Sequence, residues 1–171
     1  MVVIADDVAN SYVNANITSV GTMSLNSTGH SYNVESVTAS DSLLASESGT
    51  IYVFADAAAV LTLPDSGGGD LVGTTYTFIS NATGTGQEVI CADTTNEFFI
   101  GSVLGADQDG DGAPLAWNAQ VSDGFSSIEI TNAQEGEPGS FWILTCIAAD
   151  RWIVEGTMLS VGTSATPFAT S

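Results

Sequence analysis

The chain has 171 residues and carries 20 Asp plus Glu against a single basic residue, Arg151, for a formal net charge of −19. With 44% hydrophobic residues it is too apolar for a disordered polyelectrolyte, and its length suits one domain that buries about 70% of its unfolded surface. One arginine cannot neutralise a phosphate backbone or hold an anionic bilayer, so nucleic acid and membrane are excluded as partners. The longest nearly apolar run, Phe141 to Ala149, is about half of a membrane-spanning helix. The start MVVIADDVAN places acids where a secretory leader carries basic residues.

Residues 1–48 are polar and fit neither period well. Ile4, Val8 and Tyr12 have helical spacing, Val13, Ala15 and Ile17 alternate, and Tyr32, Val34 and Val37 form one weak strand. This stretch reads as an N-terminal arm that orders on a partner.

From residue 49 the pattern changes. Runs of Val, Ile, Thr, Phe and Tyr, four to eight residues long, alternate with Gly, Pro, Asn and Asp, the signature of strands and turns. Thr50 to Ala55 and Val60 to Leu63 come first, and Pro64 to Gly69 is a loop. Thr74 to Ser80 alternates Thr and Ser against Tyr, Phe and Ile. Glu88 to Ala92 and Glu97 to Gly101 follow, then a long polar loop rich in Asp and Gly. Ser127 to Thr131 alternates, and Phe141 to Ile147 with Trp152 to Glu155 reads as a hairpin around Ala148-Ala149-Asp150-Arg151.

About eight strands with no helix between them predict an all-β fold, an antiparallel β-sandwich or jelly roll over residues 49–160. The core is expected from Ile51, Val53, Phe54, Leu61, Tyr76, Phe78, Ile79, Val89, Ile128, Ile130, Ile143 and Leu144. Residues 161–171 read as a C-terminal tail, and no internal repeat is visible.

Chemistry is sparse. The one histidine, His30, lies in the polar segment SLNSTGHSYN with no nucleophile–base spacing around it. No phosphate-binding GxxxxGK[ST], no GxSxG and no cysteine–histidine zinc spacing occurs. No enzyme is expected. Cys91 and Cys146 sit in apolar strand-like runs, where two buried thiols are expected; a single bridge between them is the alternative. Trp142 and Trp152 belong to the C-terminal hairpin and read as core rather than as a sugar-stacking platform.

The sharpest local pattern is Asp107-Gln108-Asp109-Gly110-Asp111-Gly112, which matches D-x-D-x-D-G, the opening half of a calcium loop. Alternate carboxylates around a tight turn would place hard oxygen ligands about one cation. The twelfth position is Asn118, where an EF-hand needs a bidentate glutamate. Asp107, Asp109 and Asp111 are thus the candidate calcium ligands, with a solvated Asp-Gly turn as the alternative; no other cofactor is expected.

The stretch GTIYVFADAAAVLTLPDSGGGDLVGTTYTFISNATGTGQEVI, with the later FFIG and ADRWIVEG, resembles a β module of tailed-phage virion proteins. The residues that carry the likeness are Leu63-Pro64, Gly73, Tyr76, Phe78, Ile90, Ile100-Gly101 and Trp152, within residues 49–156. The resemblance implies a capsid decoration (cement) or head-fibre type of protein, a homotrimer on the outer virion surface, with the major capsid protein as partner. A fibre would carry a repetitive shaft, and none is visible here. A receptor-binding tail-fibre tip or lectin-like sugar-binding module is the alternative.

Overall fold

The computed structural model describes residues 32–56, 58–83, 85–108, 110, 113–130, 136–161 and 165–171. Tyr32 to Ser171 form one compact unit. His30 and the helical spacing at Ile4 to Tyr12 lie outside the described residues.

Among the described residues twelve strands follow one another with only single-turn 3-10 segments between them: β1 Val34–Val37, β2 Asp41–Ser42, β3 Ile51–Phe54, β4 Val60–Thr62, β5 Thr75–Ser80, β6 Gln87–Ile90, β7 Phe98–Asp107, β8 Leu115–Ala119, β9 Ser127–Ile130, β10 Phe141–Ala148, β11 Arg151–Ser160 and β12 Phe168–Ala169. They form a seven-stranded sheet in the order β1-β3-β5-β10-β11-β7-β8 and a five-stranded sheet in the order β12-β9-β6-β4-β2. The all-β sandwich expected from strand-period alternation is the observed class.

The pairing differs from the antiparallel expectation, because both sheets are mixed. The first six strands alternate between the sheets, odd-numbered ones in the large sheet and even-numbered ones in the small. β1, β3 and β5 pair in parallel, as do β2, β4 and β6. A parallel pair needs a crossover, usually a helix; here each crossover is a strand of the opposite sheet, so the chain winds through successive two-sided coils. Alternation along a strand identifies which residues share a face but carries no information on the direction of its neighbour. After β6 the pairing turns mostly antiparallel: β10 joins β5 to β11 and β9 joins β6 to β12, while β11 pairs in parallel with β7 along ten residues. The β10–β11 hairpin closes where expected, with a bulge between Cys146 and Ala148 and Asp150 at positive φ.

Three boundaries move. β1 and β2 fall within the expected arm and join the two sheets, so the sheets include residues before 49. β8 lies inside the stretch read as a polar loop; its Trp117 packs over Gly105, where a Cβ would stand 2.4 Å from the indole ring. The expected tail contains β12, which pairs with β9 and buries Phe168 against Phe125, ring centroids 5.7 Å apart.

The inner face of the large sheet is aromatic. Tyr52, Phe54, Tyr76, Phe78, Trp142 and Trp152 are fully buried. Phe78 stacks on Tyr52 at 5.8 Å and on Trp142 at 5.7 Å, and Tyr76 meets Trp152 at 6.0 Å. Leu61, Val89, Ile128 and Ile130 of the small sheet complete the same core. Aromatics of this size bury about 150–250 Å² each, which makes this row the main hydrophobic contribution.

Four residues expected in the core are not in it. Ile51, Val53, Ile79 and Ile143 are only half-buried, on the opposite side of their strands from Tyr52, Phe54, Phe78 and Trp142. Adjacent strand residues cannot share a face. Where both parities of a strand are apolar, the larger aromatics take the inside because they remove more surface from water.

Candidate functional site

The predicted cation loop is only partly described. Asp107 ends β7 opposite Ser160, and the Gln108 N–H donates to the Ser160 carbonyl at 2.9 Å. Gly110 has the positive φ that suits the glycine of such a turn. Asp109 and Asp111 lie outside the described residues. Among the described residues no group of three or more His, Cys, Asp or Glu side chains stands close enough to hold a metal ion.

A second acidic position was not singled out from the sequence. Glu97, just before β7, is fully buried and ties two loops together. Its Oε1 accepts hydrogen bonds from both the backbone N–H and the hydroxyl of Ser66, and its Oε2 accepts the Asp93 N–H at 2.9 Å. Both cysteines lie within the electrostatic reach of this carboxylate. Cys91 and Cys146 are unbridged and buried. Burial, then the charges of Glu97 and Asp93, push the Cys91 thiol above its ordinary range, and burial raises Cys146 as well. A thiol held protonated is a poor nucleophile. The cluster therefore works as an internal brace between the Pro64–Gly69 loop and the start of β7.

A surface recess of about 140 Å³ lies between β1, β2 and the inner strands, lined by Glu35, Ser36, Val37, Asp41, Tyr52 and Leu61 among others. Small-molecule sites run to roughly 300–1,000 Å³. This one is too small to enclose a drug-sized ligand.

A further candidate is the outer face of the seven-stranded sheet. One register row crosses it through Val34, Ile51, Thr77 and Ile143 to Glu155. A second carries Val53, Ile79, Phe141, Thr157 and Leu104. A third, shorter row carries Thr75, Thr145, Ile153 and Ile100, with the two threonine hydroxyls 3.0 Å apart. Val34, Leu104, Phe141 and Ile153 are exposed. The solvated side of a sheet is ordinarily polar; here it is hydrocarbon and hydroxyl. Glu155 is the only acid on this side among the described strand residues. The same strand begins with Arg151, whose guanidinium lies 5.1 Å from the Phe98 ring centre. The face thus holds one charge of each sign on a chain of net charge −19.

The small sheet presents the opposite character. Glu88 and Glu129 stand directly opposite one another on its outer side, and Glu88 accepts the Ser127 hydroxyl at 2.6 Å. The acids missing from the large sheet's outer side are carried here and in the loops.

Scans against protein-family models, curated proteins and solved structures returned no match to this chain.

Proposed function

We propose that this chain is a non-catalytic structural protein of a tailed-phage virion, a decoration protein that binds the outside of the head as a homotrimer and reinforces it. The observation that carries this reading is the broad, acid-poor outer face of the seven-stranded sheet on an otherwise strongly acidic molecule. Contiguous exposed apolar surface of this kind serves association between proteins. Its side chains are mostly hydrocarbon and hydroxyl, with Glu155 as the one acid among its described strand residues.

The likeness of residues 49–156 to virion β modules supplies the setting, and the sandwich agrees with it. Acidic loops and the Glu88–Glu129 side of the small sheet suit a basic counterpart, for which the major capsid protein is the proposed partner. A trimer would engage such a lattice through three contacts at once, raising avidity without stronger individual contacts. Salt would then slow association more than it weakens the complex once formed.

The test is co-sedimentation with purified expanded capsids, run beside binding to host cells and to glycan arrays. Saturable capsid binding and a raised capsid melting temperature are the expected results. A protein that ignores capsids and adheres to cells or glycans would overturn the reading in favour of receptor binding.

A further inference from the structure

We propose that the outer face of the seven-stranded sheet is the surface on which copies of this chain pack against one another. The inference deepens the proposed function by assigning its self-assembly, and only that, to named residues.

The first support is parity. In β3, β5 and β10 the inward positions are already filled by Tyr52, Phe54, Tyr76, Phe78, Trp142 and Leu144, all buried. The outward isoleucines and valines therefore add nothing to the core. β-branched residues and threonines on a flat strand surface suit a second layer packed on top, and no element among the described residues provides that layer.

The second support is charge, which identifies the occupant. Two copies of a −19 chain repel wherever their acidic surfaces meet. The outer side of the large sheet is where that repulsion is least, since among the described strand residues it carries only Glu155 and Arg151. These two lie four residues apart on β11, about 13 Å along the strand, too far to pair within one copy. Between copies each finds an opposite charge. The Glu88–Glu129 side of the small sheet would instead set carboxylates against carboxylates.

The third support is size. Seven strands about 4.8 Å apart, of the observed lengths, present on the order of 600 Å² per copy, so one face packed on the same face of a second copy would bury about 1,200 Å², the lower bound of a specific, stable interface. Such an isologous contact closes as a dimer, which this inference sets in place of the trimer.

The experiment is the solution mass of the full chain by light scattering across a concentration and salt series. It is repeated for Ile153→Asp, Leu104→Asp and the control Val72→Asp. These three side chains are 39%, 56% and 57% exposed, so none is needed for the core; unchanged far-UV circular dichroism verifies the fold. The wild-type mass should be twice 17.5 kDa, and rising salt should strengthen assembly by screening the net charge. Ile153→Asp and Leu104→Asp should lose assembly, while Val72→Asp should keep it. A wild-type monomer at every concentration and salt, or face variants that remain assembled, would overturn the inference. The two proposals are distinguished: a monomer that binds capsids sinks this inference and the oligomeric part of the proposed function but leaves capsid binding standing, and an oligomer that ignores capsids sinks only the capsid reading.

Discussion

Ser66 gives both its backbone N–H and its hydroxyl to a single oxygen of Glu97, in a site that water does not reach. The Glu97 carboxylate also accepts the Asp93 N–H, so one side chain ties its own loop to Ser66, thirty-one positions earlier in sequence. Hydrogen bonds to a charged acceptor are worth more than neutral ones, and removing the acceptor leaves buried donors unpaired. Glu97→Ala should cost about 3 kcal/mol of stability, read as a lowered denaturant midpoint. Glu97→Gln, which keeps an acceptor oxygen, should cost less. Equal midpoints for wild type and Glu97→Ala would refute the brace.

Gly101 lies where β7 pairs with β11, and a Cβ there would stand 2.2 Å from the Val154 carbonyl oxygen. Its φ of +123° is a second obstacle to any side chain. Gly101→Ala must push the two longest strands of the large sheet apart, at a cost of at least about 3 kcal/mol. Gly49 has φ +89° but open space around its Cβ position, so Gly49→Ala should cost only about 1 kcal/mol. Thermal melts of the two variants measure the difference, and similar losses would contradict the close-approach reading.

Tyr52 and Tyr76 make the fold sensitive to alkali. Burial, then the hydrogen bond to Glu47 and its charge, holds the Tyr52 phenol well above the ordinary tyrosine value. Burial and then the Glu47 charge push Tyr76, whose hydroxyl donates to the Leu44 carbonyl at 2.8 Å, up to about 12. A phenol whose folded pKa exceeds its unfolded one favours folding fully below the unfolded value, roughly pH 10. That contribution is lost as pH rises towards the folded values. Stability should therefore be flat on the neutral side of pH 10 with respect to these groups and fall above it. Tyrosinate absorbance of the two buried rings should appear together with unfolding. Their ionisation in a chain that keeps its near-UV dichroism would count against this account.

Glu88 and Glu129 form a like-charge cross-strand pair, an arrangement that weakens an antiparallel ladder. Glu88→Gln keeps an oxygen to accept the Ser127 hydroxyl and should stabilise the protein by about 0.5 kcal/mol at low salt. The gain should shrink as salt screens the pair. A loss of stability, or a gain indifferent to salt, would argue that the two carboxylates do not repel.

Strand identity, the turns that bound the strands and the all-β class were legible in the residues alone. The reason is that period-two alternation and Gly, Pro, Asn and Asp breaks are local properties of the backbone. Even so, β8 was hidden, because LAWNA is short and follows an Asp-Gly-rich loop. The Glu97 brace was hidden too, since nothing near position 97 announces Ser66 as its partner. Tertiary structure decided what locality cannot: the parallel winding of β1 to β6 between two sheets, and which side of each strand faces inward. That second decision shaped the proposed assembly surface. IYVF and FWIL are apolar at both parities, so the sequence permits either set of side chains to be core. Packing six aromatics against the small sheet removes more surface from water than packing the smaller residues would, and it leaves Ile51, Val53, Ile79 and Ile143 on the outer face.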